Sequence, residues 1–152
     1  MSTFDLRLET RKEELKTLFT SLYGSDEKLG SLILSMREYY DRRSDELKSL
    51  DKEREDNPLW YRQGDMLGLT MYSDLFASSL KGLKGKVGYL KKLSLKYLHL
   101  MPLMKMPEKD NDGGYAVEDF YSVDPRFGTN EDLEALTKEL RKYGISLCLD
   151  FV

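Results

Sequence analysis

"KYLHLMPL", Lys96 to Leu103, decides the fold. The run is apolar and short, and Pro102 ends it, so it reads as a strand rather than a helix. Upstream, Leu80, Leu83, Val87 and Leu90 recur at helical spacing, and "MLGLTMY" (Met66 to Tyr72) is a strand candidate ahead of them. Downstream comes a loop rich in Pro, Gly and Asp. Leu133, Leu136 and Leu140 then lie on one helix face, opened by the capping-box-like pair Thr129 and Asp132 and closed at Gly144. The final run, "GISLCLDFV" (Gly144 to Val152), is a third strand. Strands alternating with helices, with little period-2 patterning, predict an α/β fold with a buried parallel sheet of βαβ units. A three-stranded parallel sheet with so few helices is a poor core by itself, and the run to Val152 would leave an unpaired edge, so the chain reads as unfinished.

A different grammar governs the first part. Residues 1–56 hold 11 basic and 14 acidic side chains, whereas residues 57–152 balance at 13 and 13. The change falls near "DNPLW" (Asp56 to Trp60), where Asn-Pro marks a break. Before it, Leu15, Leu18, Phe19 and Leu22 form one helical series, with Gly24 as the C-cap. Leu29, Leu32, Ile33, Met36, Tyr39, Tyr40, Leu47 and Leu50 form a second. The expectation is a helical hairpin over 1–56 followed by an α/β segment over 57–152.

Composition excludes several functions. The chain has 152 residues, 40% apolar and 34% charged, with a net charge of −3. That balance suits a soluble globular protein and gives no general attraction to nucleic acid. Seven lysines and no acid lie between Asp74 and Glu108, a run read as the solvated face of a helix. The start, "MSTFDLRLETRKEELK", lacks the apolar core of a secretory leader, and no apolar stretch is long enough to span a bilayer. A cytoplasmic location with no membrane contact is expected. One cysteine, Cys148, and one histidine, His99, both sit inside apolar runs and read as core residues. Metal sites and nucleophilic triads would need partners that such a chain barely offers.

One loop remains, "EKDNDGGYAVEDFYSVDPRFGT" from Glu108 to Thr129. Glu108, Asp110, Asp112 and Gly113 mimic part of a calcium loop, but position 12 would be Asp119 rather than Glu and "MPLMKMP" cannot be the entering helix. The loop follows the C-terminal end of a parallel strand, where α/β folds place their binding sites. Gly113 and Gly114 permit close backbone approach, Asp112 can accept hydroxyl hydrogen bonds, and Tyr115 can pack on a sugar ring. Composition alone reads the same residues as an ordinary turn.

"DGGYAVEDFYSVDPRFGT" resembles the stretch after the second barrel strand of the α-amylase superfamily, glycoside hydrolase family 13. "GISLCLDFV" resembles the start of that family's third-strand motif, Asp-x-Val-x-Asn-His. A narrower resemblance, carried by "NPLWYRQGDMLGLTMYSDLFASSLKGLKGKVGYLKKLSLKYLHLMPL" and the helical prelude, is to the amylosucrases. It implies an all-helical N-terminal domain (1–56) and the first three strands and two helices of a (β/α)8 TIM barrel (57–152). It also implies a retaining enzyme that cleaves sucrose and passes glucose to an α-glucan, with no metal or organic cofactor. In that family the nucleophilic Asp and acidic Glu come from later strands, so no catalytic residue is expected among these 152. What carries over is a binding wall: Asp112 and Tyr115 against the glucosyl unit, with Gly113, Gly114 and Asp150 supporting them. The alternative is a non-catalytic helical or sugar-binding module.

Overall fold

The computed structural model describes residues 3–151, which form two compact units dividing at Trp60 and Tyr61. The first unit is helical: α1 (Thr3–Tyr23), α2 (Leu29–Arg42) and α3 (Asp45–Asp56). It therefore has three helices where the apolar spacing predicts two. The series through Leu50 is interrupted because Arg43 turns to extended backbone and Ser44 restarts the helix, its hydroxyl accepting from the Leu47 N–H at 3.4 Å. Arg43 also grips both oxygens of Asp51, at 2.6 and 2.7 Å, and this hydrogen bonding holds the Asp51 carboxyl below its ordinary range. Among the described residues, Phe4 and Leu29 are the buried apolar side chains of this unit. Ion pairs do much of the tethering: Arg7 to Glu55 at 2.7 Å joins α1 to α3, and Arg37 to Asp5 joins α2 to α1. Pairs this exposed are screened by solvent and contribute little, so this unit is thinly stabilised.

The second unit contains β1 (Gly68–Met71), α4 (Ser73–Ala77), α5 (Leu80–Gly85), α6 (Val87–Lys92), β2 (Tyr97–Leu100), β3 (Met104–Lys105), β4 (Asp119–Val123), α7 (Asn130–Arg141) and β5 (Ser146–Leu149). Strands β1, β2 and β5 form a parallel sheet in that order, with β2 central. Mixed helix and strand around a partial parallel sheet matches the expected class. The strands are shorter than the apolar runs that announced them. The helix expected over 80–90 is two short helices that meet at Lys86, with α4 ahead of them.

The expected burial of the strands is corrected in one respect. β2 does alternate: Leu98 and Leu100 are buried, while Tyr97 and His99 are only partly covered. Leu80, Leu83, Val87 and Leu90 from α5 and α6, with Leu136 and Leu140 from α7, pack with Leu98 and Leu100 in one core cluster. The helices thus cover one face of the sheet. Helix α7 is set by the predicted capping box, in which Asp132 N–H reaches Thr129 Oγ1 at 3.3 Å and Thr129 N–H reaches Asp132 Oδ2 at 3.1 Å.

A small antiparallel hairpin, β3 with β4, rises from the segment that sequence reads as loop. Asp124 pins its base. Its buried carboxylate accepts from the N–H groups of Met106 (3.2 Å) and Arg126 (3.0 Å) and from the Arg126 guanidinium (2.8 Å). Burial alone would raise this carboxyl, and those hydrogen bonds outweigh it and hold the group below its ordinary value.

Gly82 fixes how α5 follows α4. A β-carbon there would overlap the Ala77 carbonyl oxygen, a backbone atom that cannot rotate away. Gly82→Ala is expected to destabilise the second unit by about 1–3 kcal/mol, the usual cost of overpacking. Urea unfolding followed by circular dichroism checks this, and an unchanged midpoint would contradict it.

Candidate functional site

The parallel strands β1, β2 and β5 end on a common side, and His99 and Asp150 lie at that end of the sheet. His99 is in register with Thr70 of β1 and Cys148 of β5. Asp150 follows β5 directly, and its carboxylate joins two residues distant in sequence. His99 Nε2 lies 2.8 Å from Asp150 Oδ1, and the Tyr115 hydroxyl donates to Asp150 Oδ2 at 3.1 Å. The Thr70 hydroxyl lies 3.5 Å from His99 Nδ1, at the long limit of a hydrogen bond. The His99 and Asp150 side chains are 26% and 21% exposed, so the group is sheltered yet reachable.

Tyr115 is delivered by a tight turn, Asp112–Gly114, on which Tyr115 N–H bonds the Asp112 carbonyl at 3.3 Å. Asp112 and Gly114 both have positive φ, 49° and 101°. Gly114 is buried, and a β-carbon there would come within 3.0 Å of Pro102 and 3.2 Å of Met106. The close approach at Gly114 is therefore made by the chain itself, just past β2. Gly113 faces open space. Asp112 is exposed and, among the described residues, stands outside the hydrogen-bonded group that contains Tyr115 and Asp150.

The structure thus joins two of the residues expected from sequence, Tyr115 and Asp150, and adds His99 and Thr70. The apolar run around His99 concealed it, because "YLHL" reads as core by composition. Its position on the uncovered face of an alternating strand was the available signal. Thr70, His99 and Asp150 have the connectivity of a nucleophilic triad, but a hydroxyl 3.5 Å from the ring nitrogen is poorly placed to surrender its proton. Tyr115 is held above the ordinary phenol value, first by partial burial, then by its hydrogen bond to the Asp150 carboxylate and by that group's charge. Among the described residues, no group of three or more His, Cys, Asp or Glu could hold a metal ion. No helix there is long and apolar enough to cross a membrane.

Residues 36–152 match the family described as "Alpha amylase, catalytic domain". The chain belongs to this family, glycoside hydrolase family 13. Its relatives include Maltase A2 of Drosophila melanogaster, 40% identical over 73 residues that make up 48% of this chain and 12% of that protein. Trehalose-6-phosphate hydrolase of Bacillus subtilis is 40% identical over 73 residues, 48% of this chain and 13% of that protein. Among solved structures, a MutB mutant in complex with the substrate sucrose is 30% identical with a TM-score of 0.52, covering 62% of this chain and 17% of that one. The chain spans about an eighth of the length of the curated relatives it matches.

The Tyr115–Asp150 contact makes a signed prediction. A phenol raised in the folded state contributes stability that is fully present below the ordinary phenol pKa and is lost as pH rises through the raised value. Asp150→Asn removes the charge, so Tyr115 should ionise nearer the ordinary value, read from its ring signals by NMR across the alkaline range. The same midpoint in both proteins would show that the carboxylate does not act on Tyr115.

Proposed function

We propose that this chain contributes the sugar-recognition wall of a retaining α-glucoside-active enzyme, of the amylosucrase type, that takes sucrose as donor and an α-glucan as acceptor. The observation that carries the reading is Tyr115, held through Asp150 at the C-terminal end of a parallel sheet. That is where barrel enzymes build their sites. Family membership supports glycoside chemistry, and likeness to a structure holding sucrose supports the donor. The Tyr115 ring would lie on the apolar C–H face of the glucosyl unit, and Asp112, exposed on the same turn, would accept from its hydroxyls. Gly113 and Gly114 shape that turn, and Asp150 holds the tyrosine.

Retention requires a nucleophilic carboxylate and a protonated carboxylic acid about 5–5.5 Å apart across the bond. The family resemblance puts both on later strands, so this wall binds and orients without cleaving. Work at the site is expected in the cytoplasm and without a metal or organic cofactor.

Two experiments test the reading. The purified 152-residue chain should release no fructose from sucrose above a buffer blank, and release would overturn the division of roles. In an active enzyme that carries this sequence, Tyr115→Ala and Asp112→Ala should each lower kcat/KM for sucrose at least about tenfold, equivalent to roughly 1.4 kcal/mol. The products should keep retained stereochemistry. Variants within about twofold of the parent, with unchanged Tm, would reduce the loop to a turn.

A further inference from the structure

His99 is the sole histidine of the chain, and it sits on the central strand between the two strands that flank it. Two facts restrict what its ring does. Nε2 lies 2.8 Å from a carboxylate oxygen, so Nε2 must carry a hydrogen, since two acceptors at that separation would repel. Nδ1 faces the Thr70 hydroxyl, a group that can donate to a bare nitrogen, although at 3.5 Å this contact is the weaker one. The carboxylate so gripped uses its other oxygen to receive the Tyr115 hydroxyl at 3.1 Å. The chain of contacts therefore runs from the packed centre of the sheet to the ring on the turn. Backbone rigidity enters through Leu98 and Leu100, the fully buried neighbours of His99 on the same strand.

We propose that His99 is a positioning residue: its Nε2–H fixes the Asp150 carboxylate, and through it the pose in which the Tyr115 ring is presented to a sugar. This extends the carbohydrate reading above and depends on it for the identity of what the ring meets. Carboxylates are otherwise free to swing about the side-chain torsions, and a single tyrosine hydroxyl would swing with Asp150 rather than hold it. A second donor on the opposite oxygen removes that freedom. Asp150, just past β5, and Thr70 of β1 lie against the His99 ring, and Cys148 is its register neighbour on β5. Tyr115 stands beyond Asp150, with Tyr72 acting electrostatically on it.

Because the chain has one imidazole, its nitrogens are read without ambiguity in a long-range proton–nitrogen NMR correlation of the 152-residue chain. Neutral His99 should be wholly the Nε2–H tautomer. An Nδ1–H tautomer, or an averaged mixture, overturns the proposal. Asp150→Asn should move the ring towards a mixture, since the amide offers a donor as well as an acceptor. The second readout is the Tyr115 ring signal, assigned by its loss in Tyr115→Phe. His99→Ala should shift and broaden that signal, whereas His99→Gln, which keeps an N–H donor, should restore most of its wild-type position. The amide spectrum of β2 serves as the folding control for each variant. A Tyr115 signal unchanged in His99→Ala, or equally displaced in His99→Gln with β2 intact, overturns the proposal. None of these readouts uses a sugar, so they succeed or fail separately from the sucrose experiments.

Discussion

The strand β2 is the constraint on which the rest of the second unit depends. It is the one strand of its sheet that is paired on both sides, in parallel register with β1 and β5. Its alternating side chains split two duties between two faces. Leu98 and Leu100 anchor the helical layer of α5, α6 and α7, while His99 points the other way and meets Asp150. A period-2 strand cannot alter one face without the other, because a one-residue slip would put His99 into the leucine core and Leu98 or Leu100 at the site. Burial of those leucines, each worth about 1.5–3 kcal/mol, thus fixes the register that the polar group uses.

The loop past β2 is fixed by the same strand. Pro102 and Met106 close against Gly114, and Asp124 ties the Met106 N–H to the base of the hairpin. The turn that carries Tyr115 is consequently packed on the strand exit. In a fold whose binding residues sit on loops, rigidity of this kind is what holds a flat ring in one pose.

Much of the second unit was legible in sequence because its signals are local. Helix α7 announces itself through Thr129, Asp132 and the leucines behind them, and its end through Gly144. The three parallel strands stand out as apolar runs between helical periods. The hairpin did not, since β3 is two residues long and its pairing with β4 spans a loop. The break at Arg43 and Ser44 was masked by an apolar series that continued in phase across it, although Ser44 followed by Asp45 and Glu46 was a readable helix start. Tyr115 and Asp150 could be named from motifs, yet their contact spans 35 residues and only the fold joins them. His99 was hidden by its apolar neighbours.

The claim that β2 governs both core and site is tested most directly by native-state amide hydrogen exchange. The amides of Tyr97–Leu100 should be among the slowest in the chain, and Leu98→Ala should speed their exchange and that of the Asp112–Gly114 turn together. Fast exchange along β2 in the wild-type protein, or a turn whose exchange ignores Leu98→Ala while β2 loosens, would contradict it.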